Sequence, residues 1–541
     1  MEQEGHDFIV VGSGPAGCAV ASRLSEDPRH QVLLLEAGPG QRKGLLASNA
    51  ALGALAYGPR RSAYNWGFDT QPQAGLNDRR SYNPLGRGLG GGTSINTLMY
   101  MRGNPLDYDG WAAAGNPGWS WSEVLPYFKK SENNQTFAAD DDPYHGNRGP
   151  VWVEELRTDN PWHATLRQAC EEAGWPYNPD LNGATQDGFR PTQVMMKGGE
   201  RHHAGQAWIL PHLGTRTNLQ LQCDSPVARI VFDGRRAVGV EVVQGGQKRR
   251  IRARKEVIVA SGGILSAKLL QLSGVGDGAH LQRLAIPVVA HLPAVGEHLQ
   301  DHLDVILGHH VPADPDLIGI SPTGARGLWR AMRRWRRERR GMATTNFAEV
   351  TGFMRLAPDS PMPEIQYEFV VALAMNHGRD IYAKHGLSTH VLLLHPKSRG
   401  SVRLASPRWQ DDPAIDFGYF SHPDDLATMV AGVRRVLEVY DTPTLRRLVA
   451  ADLRTAHCRS DEDLAQFCRN VAGTNYHPTS SCRMGQSAAD SVVDARLRVH
   501  GLQGLRVIDS SIFPTIPGGN TTAPATMVGE KGAAMLREDW R

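Results

Sequence analysis

The 541-residue chain lacks any apolar stretch long enough to cross a bilayer: its longest unbroken run is Phe369 to Met375, and a helical span takes about 20 such residues. No leader is expected either, because acids fall among the first ten residues, which lead straight into the strand-like Phe8-Ile9-Val10-Val11. Cysteine is sparse. Cys18, Cys170, Cys223, Cys458, Cys468 and Cys482 show no CxxC spacing, which argues against a disulfide framework, a zinc knuckle and a redox pair. Charge of one sign is also short. A formal net charge of +3 is too weak for nucleic acid. Adjacent histidines occur at His202-His203 and His309-His310, but neighbours on a strand point to opposite faces, so no shared metal is expected. With 40% apolar and 21% charged residues the chain is not disordered, and its length asks for more than one core. The expectation is a cytoplasmic, multidomain protein without a metal.

Glycine is in excess, 58 residues or about 11% against ~7% in ordinary chains. Excess glycine means backbone that turns tightly or approaches something closely. The first case is a βαβ unit. Phe8-Ile9-Val10-Val11 is followed by Gly12-Ser13-Gly14-Pro15-Ala16-Gly17, a small-residue helix to about Leu24, and a second apolar run, Val32 to Leu35, that ends at Glu36. Gly12 permits the turn, Gly14 lets backbone approach a pyrophosphate, and Gly17 lets helix and strand pack. The helix N-terminus favours phosphate, and Glu36 can accept from a ribose hydroxyl. An acid there favours an unphosphorylated ribose, hence FAD or NAD over NADP. Gly86 to Gly91 matches the same glycine spacing but has no strand in front of it.

Residues 38–150 are dense in Gly, Pro and Asn, as in excursions that wrap a ligand. Residues 161–174 read as a helix carrying Trp162, Leu166, Ala169 and Ala173 on one side. Residues 219–259 read as strands, with a hairpin at Asp233-Gly234. From 310 to 470 the texture changes. Glu364 to Phe369 and Ser401 to Leu404 alternate as half-exposed antiparallel strands do, and helices are expected near 423–440 and 461–470. The tail, Leu505 to Asp509, returns to a buried-strand pattern.

Five motifs in order then resemble the glucose–methanol–choline (GMC) family of FAD-dependent oxidoreductases across nearly the whole chain. They are Gly86 to Asn96 with Gly103 to Trp111; Gly262 to Gly276; Tyr476-His477-Pro478-Thr479; Arg483-Met484-Gly485; and Asp509 to Pro514. Pro396 to Gly400 and Thr345-Asn346-Phe347 look most like the choline-dehydrogenase-like branch. The resemblance implies an α/β (α+β overall) architecture. A Rossmann-like FAD-binding domain would comprise 1–160, 215–310 and 470–541, and a substrate domain on an antiparallel sheet 161–214 and 311–469. It implies cofactor contacts from Gly12, Ser13, Gly14, Glu36, Ala37, Trp66, Gly88, Gly92, Asn96, Leu98, Met99, Val227, Asp509, Asn520 and Thr521. Covalently flavinylated members use a histidine where this chain has Ile95, so non-covalent FAD is expected. The second signature usually reads Ser-Pro where Ser266-Ala267 stand here, and Asn520 takes the place of a second catalytic histidine.

Oxidising an alcohol removes a proton from oxygen and a hydride from carbon. Flavin accepts the hydride, and a positioned base takes the proton. The family pattern gives the base role to His477 and hydrogen bonding of the substrate oxygen to Asn520. The expected activity is oxidation of a primary alcohol to an aldehyde, with electrons passed to a quinone-type acceptor or to oxygen. The alternative is a flavin-dependent lyase or decarboxylase on the same fold. Residues 326–340 carry eight arginines and one acid, interleaved with Leu328, Trp329, Met332 and Trp335. An amphipathic helix with Leu328, Met332 and Trp335 on one side is expected. It reads either as a solvated face or as a peripheral contact with an anionic membrane, at the inner face.

Overall fold

The computed structural model describes residues 5–40, 43–382 and 384–541. It is a mixed α/β architecture around two seven-stranded sheets. In the first sheet, Gly5–Val11 pairs in parallel with Val32–Leu35 and with Gln247–Val259, and Leu219–Gln222 extends the parallel set beyond Val32–Leu35. Gly5–Val11 and Val32–Leu35 are buried almost throughout, as parallel strands covered on both faces must be. The helix Pro15–Leu24 follows the glycine turn, and the C-terminal helix Thr522–Asp539 packs on it.

The long strand Gln247–Val259 forks. Its first half alternates charged and apolar residues and is half exposed, pairing antiparallel with Arg236–Gln244. Its last residues, Val257 to Val259, are fully buried and pair in parallel with Leu505–Val507 as well as with Gly5–Val11. The change from alternation to a continuous apolar run marks the switch from one environment to the other. Val227–Asp233 and Arg236–Gln244 form the expected hairpin, with Gly234 in the left-handed region at φ 55°.

The second sheet runs Ala451–Asp452, Leu303–Val311, His385–Leu393, Ile365–Val370, Ala348–Met354, Gly188–Pro191, and every neighbouring pair is antiparallel. Leu303–Val311 pairs wholly within this sheet and takes Gly473–Thr474 as a further partner. The boundaries expected at 310/311 and 469/470 therefore cut through one hydrogen-bonded sheet. Helices Trp162–Glu172, Pro423–Tyr440 and Asp461–Val471 lie where periodicity places them.

One sequence expectation is corrected. Ile365–Val370 is not half exposed: all six residues are buried. Its polar alternates, Gln366 and Glu368, face the protein interior instead of water. The basic helix spans Pro322–Glu338, capped by the Ser321 hydroxyl accepting from the Gly324 N–H at 2.9 Å. Only Trp335 is driven into the protein, donating its indole N–H to the Gly199 carbonyl at 3.0 Å, whereas Leu328 is 59% exposed. The helix is amphipathic as expected, anchored by Trp335 and tied down by ion pairs from Arg334 and Arg340 to Asp159 and from Arg339 to Glu200.

Candidate active site

A cavity of about 410 Å³ opens between the two sheets, and its walls run from the first glycine turn to His477 and Asn520. The turn is built by sterics. Gly12 has φ 107°, and a Cβ there would lie 2.4 Å from the Ala260 carbonyl oxygen. A Cβ on Gly17 would lie 1.9 Å from the Gly12 carbonyl oxygen, so helix and strand touch only because both residues lack side chains. Gly14 and Gly92 differ: both line the cavity, and a Cβ on either would meet nothing within 4 Å. Protein packing does not require glycine at these two positions. What glycine leaves there is bare backbone facing the cavity.

Three helix N-termini reach this cavity, at Pro15, Gly262 and Thr522, and none has a side-chain cap hydrogen bond. The uncapped helix starts at Pro15 and Thr522 suit phosphate or a developing anion, whereas at Gly262 the Asp509 carboxyl already takes that place. Glu36 is held by four donors. The Ser13 amide and hydroxyl reach Oε2 at 3.1 and 2.6 Å, and the Gly38 and Gly88 amides reach Oε1 at 2.8 and 2.9 Å. Asp509 accepts from the Gly262 amide at 2.8 Å and the Ser266 hydroxyl at 2.6 Å, and burial raises its carboxyl above the usual range. The Ser266-Ala267 departure thus keeps the serine that holds Asp509.

Of the residues singled out from sequence, Gly12, Ser13, Gly14, Glu36, Ala37, Trp66, Gly92, Asn96, Met99, Val227, His477, Asp509, Asn520 and Thr521 line the one cavity. Gly88 and Leu98 do not. Gly88 stands behind the wall and donates to Glu36. Leu98 is fully buried in a left-handed backbone, φ 62°. Phe347 and Tyr476, both on the wall, are left-handed too, at φ 74° and 68°. Bulky residues held in this region store strain and cluster at functional sites.

At the far end of the cavity, His477 Nε2 faces Asn520 Nδ2 at 3.4 Å. The Asn520 amide is oriented from behind. Its Oδ1 accepts from Gln366 Nε2 at 3.1 Å, and its Nδ2 donates to Glu368 Oε1 at 3.3 Å. Burial pushes His477 down to about 3 and Glu368 up to about 7, since each environment disfavours the charged form. The His477 main-chain N–H donates to Asp301 Oδ1 at 2.8 Å, and Tyr419 donates to the other oxygen of Asp301 at 2.5 Å. Asp301 is itself raised to about 7 by burial. Deeper still, Asp304 pairs with His390 at 2.6 Å.

Sequence reasoning missed Asp301, His302, Gln366 and Glu368. One signal was available: Gln300-Asp301-His302 is a polar triplet placed directly before a strand that is buried nearly throughout. Glu368 had none, because alternation on a strand does not say what its polar side faces. Among the described residues, no group of three His, Cys, Asp or Glu side chains could hold a metal ion.

Residues 6–304 and 396–529 match the N- and C-terminal domains described as GMC oxidoreductase. The chain is 38% identical over 538 residues to an alcohol dehydrogenase [acceptor] of Pseudomonas putida, covering 98% of this chain and 95% of that one. It is 37% identical over 547 residues to the mitochondrial choline dehydrogenase of Homo sapiens, covering 98% and 90%. Among solved structures, pyridoxine 4-oxidase from Mesorbium loti superposes with a TM-score of 0.86 at 28% identity, covering 99% of both chains. A fungal aryl-alcohol oxidase superposes with a TM-score of 0.86 at 25% identity, covering 99% of this chain and 100% of that one.

Proposed function

The chain belongs to the GMC oxidoreductase family, and on that premise we propose which residues carry the reaction of an FAD-dependent enzyme that oxidises a primary alcohol to the aldehyde and passes the electrons to a quinone-type acceptor or to oxygen. The observation that carries the assignment is His477 Nε2 standing beside the Asn520 amide at the end of a cavity that begins at the glycine turn.

The cavity suits FAD. Gly14 and Gly92 leave backbone bare where no protein atom needs the room, and the uncapped N-terminus of the helix that Pro15 begins favours a pyrophosphate. Glu36 is held in place to accept from ribose hydroxyls, and the Val227 strand supports the adenine end. Asn96, Met99, Asp509 and Thr521 line the remainder. Bound FAD supplies the hydride acceptor, which no side chain can be. We assign non-covalent binding because Ile95, on the cavity wall where a linking histidine would stand, offers no nucleophile. Acid precipitation is expected to release all of the flavin into the supernatant. As domain limits we take the sheets themselves, moving Leu303–Val311 and Gly473–Thr474 into the substrate unit.

The reaction follows from the side chains. Burial keeps His477 neutral across working pH, so Nε2 can take the hydroxyl proton as hydride leaves the carbon. Asn520 Nδ2 donates to the oxygen as negative charge develops there, from an amide that Gln366 and Glu368 hold in orientation before substrate arrives. Anaerobic mixing with a panel of alcohols is expected to bleach the flavin band near about 450 nm. His477→Ala is expected to keep FAD and lose bleaching by about 10²- to 10⁴-fold. A variant that bleaches at the original rate ends the base assignment.

The acceptor side of the proposal concerns the basic helix. Among the described residues, no helix is long and apolar enough to cross a membrane. Leu328 and Trp329 are 59% and 63% exposed amid the arginines of Pro322–Glu338, and Ile320, just before the helix, is 61% exposed. Ile318 bridges to Ala372, next to the Ala374 region of the cavity wall. Exposed aromatic and aliphatic side chains within a cationic face suit peripheral contact with an anionic lipid surface, where a quinone would be met. Binding to anionic but not neutral vesicles, weakened by salt, is the expected result. Protein left in the supernatant at low salt refutes it.

A further inference from the structure

We propose that His302 is a positioning residue that fixes His477 in the tautomer carrying its proton on Nδ1, leaving the Nε2 lone pair aimed at the substrate hydroxyl. The inference rests on the reading of His477 as the base, and it concerns a residue that does not line the cavity.

A neutral imidazole has one donor and one acceptor nitrogen, and the partner of one nitrogen decides the role of the other. His302 is fully buried. Its Nε2 lies 3.1 Å from the Leu394 carbonyl oxygen, which can only accept, so Nε2 carries the proton. Burial holds this ring well below the usual histidine range, His477 and His395 oppose a second proton, and the opposing pull of the Leu394 and Pro517 carbonyls is the smaller effect. His302 Nδ1 is therefore a lone pair. It lies 2.9 Å from His477 Nδ1, and two lone pairs at that separation would repel, so His477 donates from Nδ1. What remains on His477 Nε2 is a lone pair.

The opposite end of His477 gives the same answer independently. Asn520 Nδ2, a group that can only donate, faces Nε2 at 3.4 Å. Its identity as the nitrogen follows from Glu368 Oε1 accepting at 3.3 Å on one side and Gln366 Nε2 donating to Oδ1 at 3.1 Å on the other. An Nε2 already carrying hydrogen would oppose Asn520 and could not act as a base.

A consequence follows for the proton itself. Once His477 takes the substrate proton on Nε2, its Nδ1–H still donates to His302, which stabilises the imidazolium. His302 cannot pass the charge inward, because its own N–H is committed to the Leu394 carbonyl. The proton leaves by the cavity face through which it came.

The holoenzyme tests this with His302→Leu, which fills the space without an acceptor, and His302→Asn, whose Oδ1 can stand near the place of Nδ1. With His477→Ala measured in parallel, His302→Leu is expected to lower kcat by about 10- to 100-fold with FAD content and KM within about threefold of the parent. It should also shift the acid limb of the kcat/KM profile. His302→Asn is expected to recover most of that loss. Leucine and asparagine variants that lose equally would indicate packing alone and overturn the proposal. So would a leucine variant within about twofold of the parent while His477→Ala is inactive, an outcome that leaves the base assignment standing. If His477→Ala keeps its rate, the base reading falls and the tautomer argument with it. Should His302→Leu fail to retain FAD, the asparagine variant carries the test: a full loss of kcat in a flavin-loaded protein refutes it.

Discussion

Exchanging Gly14 for alanine separates what the fold needs from what the cofactor needs. Gly14 has φ −68°, a backbone that alanine adopts freely, and a Cβ there meets no atom within 4 Å. Stability without flavin is therefore expected to stay within about 1 kcal/mol of the parent, with a slight gain from the stiffer unfolded chain. Three residues on, Gly17→Ala places a Cβ 1.9 Å from the Gly12 carbonyl oxygen and 3.1 Å from Ala260 Cβ. Neither can yield without parting helix from strand, at a cost of about 3 kcal/mol or more. Under FAD the order reverses in meaning. The Gly14 methyl group stands where backbone would approach an anionic ligand, and loss of hydrogen bonds to a charged group costs about 1.5–3 kcal/mol, or about 10- to 150-fold in Kd. Apoprotein of each variant would be titrated with FAD by tryptophan quenching and melted with and without it. A Gly14→Ala protein that binds FAD like the parent, or that melts early without FAD as Gly17→Ala should, refutes the cofactor reading of the empty space.

Two further outcomes are expected. Glu368 is raised from 4.5 to about 7 by burial, so between those pH values the native state holds more protons than the unfolded chain, and this group's contribution to stability falls as pH rises through the window. Glu368→Gln should remove that slope, gaining up to about 3 kcal/mol over the parent at pH 8 and little at pH 4.5; a melting-temperature difference that does not vary with pH refutes it. Arg102 and Glu132 form an ion pair with neither side chain exposed to solvent, so Arg102→Leu leaves a buried Glu132 held only by His145, Asn134 and the Gly146 amide and should cost up to about 3–5 kcal/mol in denaturant unfolding, with Arg102→Leu/Glu132→Gln recovering part of it.

Much of this protein was written locally. Val32 to Leu35 could be read as a buried parallel strand because nothing polar interrupts it, and the glycine turn because strand, turn, helix and acid follow one another within about 40 residues. The family motifs point to His477 and Asn520 from the sequence alone. What only the tertiary structure decided lies between segments far apart in the chain. Ile365–Val370 alternates like a surface strand, yet its polar side hydrogen-bonds Asn520 at the cavity wall, because period-two patterning records which residues share a face and not whether that face meets water or a reaction site. His302 and His477 come within hydrogen-bond reach from two separate segments, and each histidine by itself is only a titratable ring. The roles of their nitrogens are fixed by the Leu394 carbonyl and the Asn520 amide, partners that folding alone brings close, since a proton's place on imidazole is set by what surrounds the ring and not by its neighbours in sequence.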